Sequence, residues 1–319
     1  MRYLAALLVA AATACAPALA EDYPSKPIHA IYPLGAGGLG DTVLRALAQE
    51  LTKAWGQAVV VENRPGANGM IGGRACATAP ADGYTICLLP VDTLSYGPHL
   101  YKNVPFDPET AFQPITNLFF LTEVMLVNPS LPVNSMKELI ALSKTKPGGL
   151  NYASPANGVV LFMEKFKQDT GANFNMVPYR GGGEAVNAVL SGEVPVGFFG
   201  MGNSVSNLTS GRLKALAVDS PVRSPLLPDV PTFAEAGYTG VLNRAWFGLF
   251  APANIPPDIL ARLHTEVTRI VRHPEFTQKF LTGLGLEAAL NTPEEFAQFL
   301  KEDRARAADL VKISGLQPQ

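Results

Sequence analysis

The segment Tyr32–Asp41, YPLGAGGLGD, constrains the fold more than any other stretch of the chain. Gly35, Gly37 and Gly40 keep the G-x-G-x-x-G spacing, with an apolar run, IHAIYPL, ahead of them and a helix-like run, TVLRALAQELTKAW, behind. A second strand-like run, AVVV, leads to Glu62, about 20 residues on, where a dinucleotide fold places its ribose-binding acid. Strand, glycine loop, helix and strand make a βαβ unit, so the chain opens a parallel sheet with a right-handed crossover. The glycines let the backbone approach a ligand, and the amides that open the helix attract negative charge. A phosphate or a carboxylate would satisfy them. Asp41 is placed as the helix N-cap, taking one amide and leaving others free.

Compartment separates the two ligands. The first twenty residues, MRYLAALLVAAATACAPALA, carry one Arg, an apolar run and Ala18-Leu19-Ala20. That is the pattern of a secretory signal with an A-x-A cleavage site, and the run is too short and Ala-rich for a membrane span. The mature chain is expected to start at Glu21 and to lie outside the cytoplasm, away from the nicotinamide pool. Pro33 also fixes φ where the strand meets the loop, so the turn starts unlike a dinucleotide turn. Ala12-Thr13-Ala14-Cys15 loosely resembles a lipoprotein box without its usual Leu, which keeps a lipid anchor at Cys15 as an alternative. Without Cys15, Cys76 and Cys87 remain. In an oxidising compartment they could pair, or they could be two small buried hydrophobes.

The rest of the chain offers little chemistry. It holds no H-E-x-x-H, G-x-S-x-G, C-x-x-C or P-loop, and His29, His99, His264 and His273 are scattered. His29 reads as a packing residue on a strand, and His264 and His273 as solvated residues near a helix C-terminus. A formal net charge of −2 argues against nucleic acid. No catalytic residue, metal or cofactor is expected. The one enzyme alternative, a dinucleotide-dependent oxidoreductase, rests on Gly35–Gly40 alone.

Strands are expected at PIHAIYPL, AVVVEN, TICLLP, LTEVMLVNPS, GLNYAS, NMVPY, VPVGFFG, LKALAVD and AWFGLFAPA, with helices between most of them. Asp107–Pro114 reads as a proline-punctuated loop. Ser135–Glu138 and Thr292–Glu295 read as capping boxes, the second with Pro293 at the first helical position.

Four blocks carry a family likeness: YPSKPIHAIYPLGAGGLGDT; VVVENRPGANGMIGG with ADGYT; NPSLPVNSMKELIALSKTKPGGLNYAS; and RSPLLPDVPTFAEAGY with WFGLFAPA. In these the chain resembles the Bug/TctC family, the periplasmic solute-binding receptors of tripartite tricarboxylate transporters. The resemblance implies an α/β fold, the type II periplasmic binding protein, with two α/β lobes joined by crossing strands around a central ligand cleft. Residues 1–20 would be the signal peptide, 21–123 and 248–319 lobe 1, and 124–247 lobe 2, with LTEVMLVN and AWFGLFAP as the crossings. It further implies a monomer that takes a small carboxylate on backbone amides and works with membrane permease subunits.

Carried onto this sequence, the ligand loops are Leu34, Gly35, Ala36, Gly37 and Gly38, backed by Asp41, with Asp92 and Thr93 beside them. From the facing lobe come Ser154, Asn157 and Gly158, then Tyr179, Arg180 and Gly181, then the strand end at Phe199. All lie at carboxyl ends of strands, where open α/β sheets bind ligands. The chain departs from the family twice. Val159-Val160-Leu161-Phe162 follow Asn157-Gly158 where Ser, Thr and His are frequent, and Gly200 stands where an Asp is frequent. Two polar handles are thus missing, with Arg180 the one strongly placed cation. The expected ligand is a monocarboxylate, or a small aromatic or otherwise partly apolar carboxylate walled by Phe162, Tyr179 and Phe199. Asp92 pairing a ligand ammonium is the competing expectation. A receptor used for signalling would share the same closed form.

Overall fold

The structure is a computed structural model that describes residues 23–179, 181–240 and 243–318. The expected signal peptide, the lipidation alternative at Cys15, and Arg180 lie outside the described residues. Strand β1 (Ile28–Tyr32) pairs in parallel with β2 (Val59–Asn63) and β3 (Thr85–Pro90), with helices α1 (Leu39–Trp55) and α2 (Met70–Ala77) as the crossovers. Strands β4 (Phe112–Leu121), β10 (Trp246–Pro252) and β11 (Leu286–Ala288) complete a six-stranded sheet of order β11-β4-β10-β3-β1-β2.

At Thr122 the chain passes into β5 (Glu123–Val127), a strand of the second sheet. That sheet adds β6 (Leu150–Ser154), β7 (Phe174–Pro178), β8 (Val196–Gly200) and β9 (Lys214–Asp219) in the order β7-β6-β8-β5-β9. Its helices include α3 (Met136–Thr145), α4 (Asn157–Thr170) and α5 (Gly182–Ser191). Residues 220–245 lead back to β10, which pairs in the first sheet from Trp246 on, two residues ahead of residue 248. Helices α6 (Pro257–Arg272) and α7 (Pro293–Ser314) then finish the first lobe.

Burial explains the layering. Strands β5, β8 and β10 are buried at every residue, as strands covered on both faces must be. One face of the first sheet packs Val43, Leu47 and Leu51 of α1 with Leu263 and Val267 of α6. The other packs Trp246 with Phe296 and Leu300 of α7. Trp246 Nε1 donates to the buried Asp303 Oδ2 at 2.9 Å, which gives that indole a partner inside the core. The second lobe centres on aromatic rings: Phe162 stacks on Phe198 at 4.4 Å between centroids and meets Phe166, Phe233 and Tyr238.

Several elements differ from the sequence reading. The loop expected at Asp107–Pro114 already becomes β4 at Phe112. Pro114 is tolerated there because it faces a register shift between Leu249 and Phe250. The three-residue strand β11 has too little alternation to be read from sequence. His29 is exposed, paired through Nδ1 with Glu62 Oε1 at 2.5 Å, so it does not pack. His264 Nε2 bonds to Asn291 O at 3.1 Å from mid-α6. The capping box at Thr292 forms complete. At Ser135 only the serine half forms, since Glu138 accepts from the Asn134 N–H instead. Cys76 and Cys87, both fully buried, are joined by a disulfide that ties α2 to β3.

Candidate functional site

The first face of the site is the turn from β1 into α1. Tyr32 ends β1 with its ring buried beneath the helix start. Gly40 packs on that ring so closely that a Cβ would stand 2.6 Å from Tyr32 Oη. The third fingerprint glycine is therefore a packing glycine. Gly37 has φ +84, which favours glycine for its backbone. A Cβ at Gly35 would meet nothing within 4 Å, and its φ is not in the left-handed region.

Asp41 is not the N-cap. That position is Gly38, and Asp41 sits three residues into the helix. From there its Oδ2 accepts the Gly37 N–H at 2.9 Å and Arg45 Nε at 2.9 Å, while Oδ1 accepts Asn63 Nδ2 at 2.8 Å. Burial pushes its carboxyl up, but the bonds from Arg45, Gly37 and Asn63, with the charge of Arg45, hold it below the ordinary range. Asp41 thus shapes the loop with both its oxygens engaged. Among the described residues no acceptor takes the N–H of Gly35, Ala36, Leu39 or Gly40. Gly35 and Ala36 lie on an exposed loop, and Leu39 and Gly40 are the half-buried and buried first residues of a 17-residue helix, at its positive end.

The facing lobe presents its own strand ends. Beside β7, Gly181 caps α5 in extended backbone, and Cβ atoms at Gly181 and Gly183 would meet nothing within 4 Å. A Cβ at Gly182 would strike Asn203 Nδ2 at 2.3 Å. After β8, Gly200 and Gly202 lie against Leu39 of α1, with Cβ-to-Leu39 distances of 3.6 and 2.9 Å. The starts of α1 and α5 therefore converge on one spot, with Leu39 and Asn203 between them.

Other expected residues are placed differently. Phe199 is 1% exposed and packs with Val124, Ala153 and Ala185, because β8 is an interior strand. Phe162 is likewise core. Neither ring walls the cleft. The Tyr179 hydroxyl is spent on Glu193 Oε1 at 3.1 Å. Ser154 Oγ donates to Ala156 O at 3.1 Å, and Thr93 Oγ1 to Asn68 O at 3.3 Å. Asp92 crosses to the other lobe, where its Oδ1 accepts the Gly158 N–H at 3.1 Å. Asn157 Nδ2 donates to Tyr101 Oη at 3.4 Å, a second bond between the lobes.

Sequence reasoning missed the residues that join the lobes at the crossings. Asn243 Nδ2 donates to Glu123 Oε2 at 2.5 Å, its N–H donates to Asp219 Oδ2 at 2.8 Å, and its Oδ1 accepts from Tyr96 Oη at 3.3 Å. It also missed Asn203 and Leu39. A carboxylate within an otherwise apolar strand run, LTEVMLVN or LKALAVD, was the one available signal for Glu123 and Asp219. Glu62, the expected ribose acid, is held by His29 and by Arg64 Nη2 at 2.7 Å. Among the described residues no group of three or more His, Cys, Asp or Glu could hold a metal, and no helix is long and apolar enough to cross a membrane.

Residues 43–316 match the family described as "Tripartite tricarboxylate transporter family receptor". The chain is 35% identical over 312 residues to Protein BugT of Bordetella pertussis, covering 97% of this chain and 95% of that one. Among solved structures, a protein of R. palustris with adipate superposes with a TM-score of 0.87 at 30% identity, covering 93% of this chain and 100% of that one. MatC from Rhodopseudomonas palustris with bound malate gives 0.81 at 28% identity, covering 91% and 100%.

Proposed function

Because the chain belongs to the tripartite tricarboxylate transporter receptor family, whose members are periplasmic solute-binding proteins and not enzymes, we propose that it captures a small carboxylate between its lobes for uptake through membrane permease subunits. The observation that carries this reading is the set of unengaged amides at Gly35, Ala36, Leu39 and Gly40. A cluster of backbone donors at a helix start favours a carboxylate and needs no cation. Relatives solved with adipate and malate support an organic acid as the ligand class. Gly200 adds no charge where the strand ends, and the nearest side chains to it are Leu121 and Leu39. These two, not Phe162 and Phe199, are the apolar wall for a partly apolar ligand.

Closure of the lobes excludes water and strengthens each charged hydrogen bond. The test is a thermal-shift titration of residues 21–319 with mono-, di- and tricarboxylates, amino acids, aromatic carboxylates and NAD. A ligand that binds only the native state adds about 2.7 kcal/mol at a concentration a hundred times its Kd. One carboxylate class is expected to raise Tm with concentration, and NAD is expected to leave it unchanged. Gly35→Val is the matching variant, since its side chain enters open space without backbone strain. It should keep the unliganded Tm and weaken binding at least tenfold. A shift with NAD alone, or wild-type affinity in Gly35→Val, would refute the assignment.

A further inference from the structure

Strands β1 and β3 are neighbours in the first sheet, as β6 and β8 are in the second. Their carboxyl ends meet in pairs across the cleft. The β1 turn faces the β8 end, where Leu39 meets Gly200 and Gly202, and the β3 turn faces the start of α4. The first pair offers unengaged amides. The second is filled by Asp92.

Helix α4 has 14 residues and no side-chain cap of its own. Its first amides are instead served from the opposite lobe. Asp92 Oδ1 accepts the Gly158 N–H at 3.1 Å. Burial pushes its carboxyl above the ordinary range, and the Gly158 N–H, the Asn68 side chain and the Asn157 N–H oppose that rise. The buried Asn68 Nδ2 has no hydrogen bond of good geometry. Around this contact the lobes fit tightly: a Cβ at Gly158 would stand 2.9 Å from the Tyr96 ring and 3.2 Å from Asn243 Oδ1. A helix start with open amides attracts an anion. Here the chain supplies its own.

We infer that Asp92 is the residue that sets ligand class: its carboxylate sits where a ligand's second carboxylate would be received, so the cleft takes acids with one carboxylate, held at the β1 turn, and rejects diacids. This rests on the carboxylate reading of the β1 turn. Adjacent strands lie about 4.8 Å apart, so the two poles fall within the length of one small diacid. Its distal carboxylate would find the α4 amides taken and the Asp92 oxygens, acceptors like its own, beside it. With Oδ1 on the Gly158 N–H, Asp92 serves α4 ahead of a ligand ammonium.

The experiment is calorimetric titration of residues 21–319 with hexanoate, adipate and 6-aminohexanoate, and with butyrate and succinate as a shorter pair. The wild type should prefer each monoacid over its diacid at least tenfold. Asp92→Ala, which frees the amides and removes both oxygens, should narrow that ratio tenfold or more. Asp92→Asn, which keeps an acceptor for Gly158 but not the second oxygen, should narrow it part of the way and guards against misfolding of the alanine variant. Three results would overturn the inference: diacids bound by the wild type as tightly as monoacids, ratios unchanged in both variants, or selective loss of 6-aminohexanoate in Asp92→Asn. In each of these an acid still binds, and the receptor reading stands. Absence of binding by any acid, with Gly35→Val indistinguishable from the wild type, would overturn both.

Discussion

Glu123 opens β5 one residue past the crossing at Thr122, and its environment makes a prediction about pH. Burial pushes its carboxyl up to about 8, with the charges of Asp219 and Asp92 adding to the shift and the bond from Asn243 opposing it. Burial also raises Asp219, to about 6. In the unfolded chain a glutamate titrates near 4.3. Between that value and 8 the native state holds the proton more firmly, so the stability Glu123 contributes is complete below about 4.3 and is lost as pH rises through 8. Glu123→Gln keeps an oxygen for Asn243 Nδ2 and removes the titration. Relative to that variant, the wild type should lose about 2 kcal/mol between pH 6 and pH 8. Urea midpoints at the two pH values measure it, and parallel pH profiles for the two proteins would refute it.

At the scale of elements, pairing and capping account for most of what holds. Helix α1 buries Val43, Leu44, Leu47 and Leu51 along one stripe and ends at Gly56, whose φ of 68 gives a left-handed stop. Helix α7 begins on the Thr292 box with Pro293 in its first turn. The disulfide closes a short loop between α2 and β3, with its cysteines 11 apart in sequence. Loop-closure entropy for a ring of that size is worth about 3 kcal/mol in the chain-entropy picture. Replacing Cys76 and Cys87 by Ser should lower the denaturation free energy by about that amount, and reductant should bring the wild type down to the variant. A midpoint insensitive to both would show that the bond does not form in solution. Such a bond also suits the oxidising compartment of a periplasmic family.

At the scale of the whole molecule, function depends on how closely the lobes approach. Gly202 belongs to the second lobe, yet a Cβ there would stand 2.2 Å from Leu284 O and 2.9 Å from Leu39 Cδ2 of the first. A backbone carbonyl cannot rotate away as a side-chain tip can, so closed lobes have no room for an alanine. Gly202→Ala should leave each lobe folded, enlarge the radius of gyration measured by X-ray scattering with saturating ligand, and weaken binding at least tenfold. A compact liganded variant with normal affinity would mean that the contact is not part of closure.

The sequence by itself determined the local pieces and the family. The glycine turn at Gly35–Gly40, the stripe of α1, the box at Thr292 and the buried runs of β3, β5 and β10 were all legible, because each follows from spacing within a dozen residues. From the family blocks came the two-lobed α/β fold. The strand beginning at Phe112 was hidden by Pro114, since only the partner strand supplies the register shift that admits it. What Asp41, Phe199 and Asp92 touch was decided by tertiary structure. A local pattern made Asp41 a cap, but Arg45 and Asn63 set its work. Phe199 could be read onto a strand end, but not onto a side of the sheet without the register of β5 and β6. Asp92 meets Gly158 across 66 positions of chain, and Asn243 meets Glu123 across 120. Such contacts depend on where two separately folded sheets come to rest against each other, a geometry that no local spacing encodes.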